Sequence, residues 1–495
     1  MFTYSCFEHN YDIPYMRHKE PISAEYSVKV NGEDVPVYTC RISEYPFNSY
    51  WPGEQRPANQ TELASFVNIV SDETLHFEVT AKFPYSRVMV KPYSKDITAD
   101  NVGGVIAFDI TDNGQYVLQC DSYHRTLYIF NSKPVMAPDP ASVTHYFGPG
   151  VHMVGKIELH SNDTVYADKD ALVFGWLYAS GAKNIRIYGG GLFDGSGEGR
   201  VDARCYEPFT NGNLKFYNCE NVSIEGVMFR NSAIWCVNIF HCFDVTVDGI
   251  KVFGQWRYNT DGIDIVNSRN VAVKNSLVHS FDDSVCIKGI DRFADTDCEN
   301  IIVENCVLWC DWGNCIEIGF ETACKRYRNI LYKNCDILRA AAVALSLHNG
   351  DYAEVSDITY TDIRVELNAF DTPMELQSEP FQRYSKQNEI AVPYIINVNN
   401  DEFRVQYNTK AAWGMDDYYP AGTDFGDVKN GCVHDVRYEH ITVYYDDGIP
   451  MKDDGGFNIK TKVKSTREGV EHYSITASDV SVIYKGKKHP IDIIL

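Results

Sequence analysis

One motif recurs often enough to fix the kind of fold open to this chain. It begins with Asn or Asp, continues with a β-branched residue, and then alternates. The copies are NIRIYGGGLF (184), NVSIEGVMF (221), DVTVDGIKV (244), NVAVKNSLV (270), NIIVENCVL (300), NILYKNCDI (329), DITYTDIRV (357) and DVRYEHITV (435). Five of the seven gaps between copies run from 23 to 30 residues. Self-similarity at that period marks a solenoid. The segments are short, β-branched and of period two, so the repeat is a stacked β-coil and not a pair of helices. A single coil cannot bury its inward row; stacking joins the rows into continuous ladders. Asn at the turns tolerates left-handed backbone and can ladder with its neighbours. The expected fold is all-β: a right-handed parallel β-helix over 141–495.

Residues 1–140 lack the repeat. Short alternating segments such as AEYSVKVNGEDVPVYTC, TLHFEVTA, GVIAFDI and RTLYIFNSKP, separated by turn residues, predict an N-terminal antiparallel β-sandwich. Residues 145–168 read as the first coil of the helix and 473–484 as the last. Residues 370–430 break the period and read as an irregular insertion.

The net charge of −23 argues against nucleic acid as a partner, because polyanion binding needs a basic surface. No run approaches 18 apolar residues, so no membrane span is expected. The start, MFTYSCFEHN, lacks the basic and apolar parts of a signal peptide, and the expectation is a cytoplasmic location unless a leader precedes it. The 15 cysteines are odd in number and lack zinc-type spacing, so they are read as reduced core residues.

Three carboxylates stand out against this frame. Asp261 lies in NTDG (259–262), and Asp282 and Asp283 open DDSVCIK (282–288). A separation of 21 residues is close to one coil, which stacks these acids at matching edges of neighbouring turns. Aligning CVNIF (236–240), GIDIV (262–266), SVCIK (284–288), CIEIG (315–319) and ALSLH (344–348) puts Asn238, Asp264, Cys286, Glu317 and Ser346 on one outward row. Phe240, Val266, Lys288 and His348 follow on the same side. Stacked carboxylates split their pKa values, so that one keeps a proton and the others ionise. Glycoside hydrolysis needs that division between a general acid and a base.

With Asn-Thr-Asp followed one coil later by Asp-Asp, the chain resembles glycoside hydrolase family 28, the polygalacturonases, over about residues 145–350. Its N-terminal domain looks more like that of the related family 49, the dextranases. The resemblance implies that Asp282 is the general acid, that Asp261 and Asp283 hold the attacking water, and that the anomeric centre inverts. Coils stacked about 5 Å apart would suit a retaining pair; the resemblance favours inversion, and inversion is the expectation taken.

Two positions depart from the family 28 pattern. Asn314 stands where that family has the His of Gly-His-Gly, with Trp312 and Glu317 as neighbours. Ser346 and His348 stand where it has the Arg-x-Lys pair that grips a uronate carboxylate. Without a bidentate Arg, a neutral glycan is the expected substrate. Asn259, Asp264, Lys288, Trp312, Asn314, Glu317 and His348 are the expected substrate contacts. Trp235, Trp256, Tyr258, Trp309, Trp312 and Phe320 are candidate sugar platforms. No metal cluster is evident and no cofactor is expected. The partner expected is carbohydrate, and the oligomeric state is left open. The competing readings are a pectin-type hydrolase acting on uronates, a β-helix lyase or fructotransferase, and a non-catalytic glycan-binding protein.

Overall fold

The computed structural model describes residues 2–7, 22–44, 61–199, 212–368, 392–401, 431–466, 472–493 and 495. Among them there is no α-helix. From His145 onward the strands form a right-handed parallel β-helix with three faces. The first face carries all eight copies of the repeat, from Lys183–Gly189 through Arg269–Lys274 to His434–Glu439. The second includes Leu277–Ser280, Val307–Cys310 and Asp336–Arg339. The third includes Ile263–Val266, Val285–Gly289, Asn314–Thr322 and Val343–Asn349.

The lead residue of each copy explains why the repeat takes this form. Asn184, Asn221, Asp244, Asn270, Asn300, Asn329, Asp357 and Asp435 all have φ between 52° and 59°. Short polar side chains visit this left-handed region most readily among residues with a Cβ. Their amides also ladder from coil to coil: Asn300 Nδ2 donates to Asn270 Oδ1 at 2.9 Å, and Asn329 Nδ2 to Asn300 Oδ1 at 2.7 Å. Asn300→Ala should therefore cost about 1–2 kcal/mol through left-handed strain and lost laddering. Asn300→Gly should cost less, because glycine carries no such strain. Chemical unfolding of the two variants measures the difference.

Inside the helix the inward rows stack in register. Val245 sits over Val271, then Ile301, Ile330, Ile358 and Val436, all buried. Burying each such side chain contributes about 1.5–3 kcal/mol. Further along, Tyr332, Tyr360 and Tyr438 form a column, with ring centroids 4.9 and 4.7 Å apart. Twelve of the fourteen described cysteines are buried free thiols.

The stretch 370–430 departs from its reading as an irregular insertion. Tyr394–Asn400 is a third-face strand between Val343–Asn349 and Lys460–Ser465. Its sequence YIINVNN alternates like the other coils, but it stands far from any lead Asn, which is why the repeat did not reveal it. The rest of that call, 369–391 and 402–430, lies outside the described residues. At the C-terminal end, Val480–Tyr484 pairs antiparallel with Lys487–Ile491, so a hairpin follows the last coil.

Before the helix, two sheets enclose a core that includes Val28, Phe77, Phe108, Ile69, Tyr116 and Ile129. One pairing departs from the antiparallel expectation: Leu127–Ser132 runs parallel to Thr61–Val70. The outer side of that six-stranded sheet packs on the second face of the β-helix. Phe66 and Phe130 both meet Phe253, at 5.0 and 5.1 Å between centroids, and Tyr128 approaches Trp309. A buried ion pair, Lys91 to Glu366 at 2.5 Å, crosses the same junction.

Candidate active site

The corner between the second and third faces gathers the acidic residues. Asp261 precedes the strand Ile263–Val266, and Asp282 and Asp283 occupy the turn before Val285–Gly289. Ile263 pairs with Val285, an offset of 22 residues. Asp261 is therefore level with Asp283, and Asp282 stands one position to the side. Oxygens of Asp261 and Asp283 and the sulfur of Cys286 lie within 4.8 Å of one another.

The next coil closes over the pair. Asn314 N–H donates to Asp283 Oδ1 at 2.8 Å. Gly313 leaves no room for a side chain, since a Cβ there would stand 2.2 Å from Asp282 Oδ1 and 2.4 Å from Asp283 Oδ1. Asp282 Oδ1 accepts the Asp283 N–H at 3.0 Å, and Asn259 Nδ2 reaches Asp282 Oδ2 at 3.4 Å. Beneath the turn, Ser280 Oγ donates to the Asp282 carbonyl at 2.5 Å.

The outward row expected from alternation forms in register: Asn238, Asp264, Cys286, Glu317 and Ser346 are successive partners. It differs from a solvated face, because every one of these residues is buried. Phe240 and Val266 leave the cleft and join a small apolar cluster with Tyr217 and Phe293.

Lys288 is the ammonium at the centre of the acids. Its Nζ lies 3.2 Å from Asp261, 3.5 Å from Asp283, 3.7 Å from Glu321 and 3.8 Å from Asp264, and 4.5 Å from the Trp235 ring. Burial works against its charge, but Cys286, Glu321, Asp261 and Asp283 push its pKa well up. The carboxyls respond to burial in the opposite way. Burial drives Asp261 well above the carboxylate range, opposed by Lys288 and reinforced by Asp264, Asp282 and Asp283. Burial also pushes Asp264 up to about 7, against Lys288 and the Cys286 thiol, which donates to Asp264 Oδ1 at 2.9 Å. Glu317 rises well up through burial and the charge of Asp283. One ammonium cannot neutralise this many carboxyls, so the cluster retains protons near neutral pH. Asp261 Oδ1 and Asp264 Oδ2 are buried and accept no hydrogen bond.

The remaining predicted contacts divide. Asn314 Nδ2 donates to Glu317 Oε2, and His348 Nε2 pairs with Asp401 at 3.0 Å. Trp312 stacks on Phe281 at 5.7 Å and meets Tyr258 at 5.2 Å. Phe320 lies 5.8 Å from His348, and Trp256 Nε1 donates to Asn231 Oδ1 at 3.0 Å. Trp309 does not belong to the cleft: it sits on the second face, in the apolar junction with the N-terminal domain. Its strand precedes the corner, so its side chain points to the neighbouring sheet. The structure adds two residues that the sequence reading passed over, Glu321 and Gly313. Glu321 shares parity with Glu317 along CIEIGFET, and that alternation was its signal. Gly313 carried none, because its role is the close approach of two carboxylates from another coil.

As for a cation, Asp261, Asp283 and Cys286 could each offer a ligand atom, but the Lys288 ammonium already supplies positive charge there.

Comparison with known proteins agrees with this geometry. The family model for glycosyl hydrolases family 28 matches residues 144–413. Exopolygalacturonase X-1 of Emericella nidulans is 26% identical over 246 residues, covering 44% of this chain and 54% of that protein. The polygalacturonase of Gossypium barbadense is 24% identical over 253 residues, covering 48% and 59%. The chain thus spans little more than half the length of these curated relatives. Among solved structures, Dex49A from Penicillium minioluteum shares the fold over 96% of this chain and 98% of its own, with a TM-score of 0.59 and 13% identity.

Proposed function

Since the chain belongs to glycosyl hydrolases family 28, we propose that it hydrolyses O-glycosidic bonds in a neutral oligo- or polysaccharide with inversion at the anomeric carbon. Asp282 protonates the leaving oxygen. Asp283, with Asp261 level with it, holds and deprotonates the attacking water. Asn314 N–H and Lys288 fix Asp283 in place, and Asn259 does the same for Asp282.

The observation that carries the neutral reading is the charge of the cleft. Four carboxyls stand within 4 Å of one ammonium, and two buried carboxyl oxygens lack a donor. Such a wall accepts hydrogen bonds from sugar hydroxyls and repels a uronate carboxylate. Ser346 and the Asp401-paired His348 provide no fork for an acidic sugar. The close approach of Asp261 and Asp283 suits two groups sharing one water, with the acid apart from them.

The test is a panel of neutral glucans, galactans and xylans beside polygalacturonate, with product anomers followed by NMR in the first minutes. Cleavage of a neutral glycan with an initially inverted anomer is expected. Rapid cleavage of polygalacturonate would refute the neutral reading, and a retained anomer would refute the inverting one. An unsaturated product absorbing in the ultraviolet would indicate a lyase.

A further inference from the structure

Beneath the catalytic corner runs a buried polar chain that the proposed chemistry does not use. Tyr128 Oη, from the N-terminal domain, lies 2.5 Å from His279 Nδ1. His279 Nε2 lies 2.9 Å from Asp311 Oδ2, and the other Asp311 oxygen accepts from Trp309 Nε1 at 2.9 Å. The His279 ring also stacks on Trp309 at 4.3 Å. All four side chains are at least nine-tenths buried. Such a network is costly unless every member is satisfied, and here the pairings close. Asp311 only accepts, so Nε2 carries the proton; Nδ1 of the neutral ring then accepts from the tyrosine hydroxyl.

Its position is informative. His279 immediately precedes Ser280, whose hydroxyl holds the Asp282 carbonyl. Asp311 opens the turn whose Gly313 and Asn314 press on and donate to the carboxylate pair. The backbone joins the same two segments, Asp311 N–H to Ser280 O at 3.2 Å, and Ser284 Oγ donates to the Trp309 carbonyl at 3.0 Å. The His279–Asp311 contact therefore clamps two successive coils at the height of the chemistry. The part that orients the imidazole comes from another domain.

We propose that Tyr128, His279 and Asp311 are positioning residues, and that through Tyr128 the N-terminal domain sets the geometry of the Asp282–Asp283 turn. This rests on the hydrolase reading given above. A misplacement of an ångström at reacting groups costs on the order of a hundredfold in rate, so loss of one clamp member should be felt in turnover.

The experiment uses the full chain. Tyr128→Phe and Asp311→Asn should each lower kcat about tenfold or more while KM stays within about twofold. Phe66→Leu, in the same interdomain junction but off the network, serves as the control for stability; it should lower the melting temperature and leave kcat unchanged. Retention of wild-type kcat by Tyr128→Phe overturns the proposal, as does an equal loss in Phe66→Leu. Should wild type cleave nothing in the panel, the hydrolase reading fails by itself. Imidazole nitrogen NMR then tests the clamp separately. A neutral His279 protonated on Nε2, altered in Tyr128→Phe, supports it; a ring protonated on Nδ1 alone overturns it.

Discussion

Asp282→Asn is expected to lower kcat/KM on the natural glycan by about a thousandfold with the fold intact. General acid catalysis by a positioned carboxyl contributes about a hundred- to ten-thousandfold. The amide keeps the shape and can still meet Asn259, but it has no proton to give. A substrate with a nitrophenolate leaving group needs little protonation, so the variant should lose far less on it. The ratio of the two losses separates an acid from a water-binding base. Asp283→Asn should show equal losses on both substrates, because water must be activated in either case. Steady-state rates on both substrates, with circular dichroism as the check on folding, decide the matter. If Asp282→Asn retained a tenth of wild-type activity on the glycan, the assignment of the acid would be wrong.

Lys288→Met should be nearly as damaging, and for a different reason. The ammonium sits within 4 Å of four carboxyls and is itself buried. Removing one partner of a buried ionic group leaves uncompensated charge, at a cost of about 3–5 kcal/mol. The cluster would respond by taking up protons, which disables a base, so activity at neutral pH should fall along with stability. The pH dependence has a definite sign. Asp261, Asp264 and Glu317 have folded-state pKa values above those of the unfolded chain. Their protonated forms favour the folded state. The stability they contribute is fully present below about pH 4, the unfolded carboxyl range, and is lost as pH rises through the folded values, about 7 for Asp264. Without Lys288 those folded values rise further. The variant should therefore be closest to wild type near pH 5 and furthest from it near pH 8. Urea titrations at the two pH values measure this; an equal deficit at both would show that Lys288 acts by packing alone.

The sequence by itself determined the coil. Eight Asn or Asp residues at a near-constant spacing specify left-handed corners, and corners at that spacing leave a chain of alternating residues little choice but to stack. Period two then decided which residues share a row, so Asp264, Cys286, Glu317 and Ser346 could be aligned from the strands alone. Only the tertiary structure decided how that row is used. Burial depends on what lies across the groove, and alternation says nothing of that; a face that reads as solvated polar surface is instead closed around one lysine. The one-residue slip that puts Asp261 level with Asp283, and not Asp282, comes from the register between coils. The roles of Gly313 and Trp309, and the reach of Tyr128 into the corner from another domain, rest on contacts between segments far apart in the chain. Local patterns carry no record of such contacts, because the energy that selects them exists only once the coils and the N-terminal sheet have packed together.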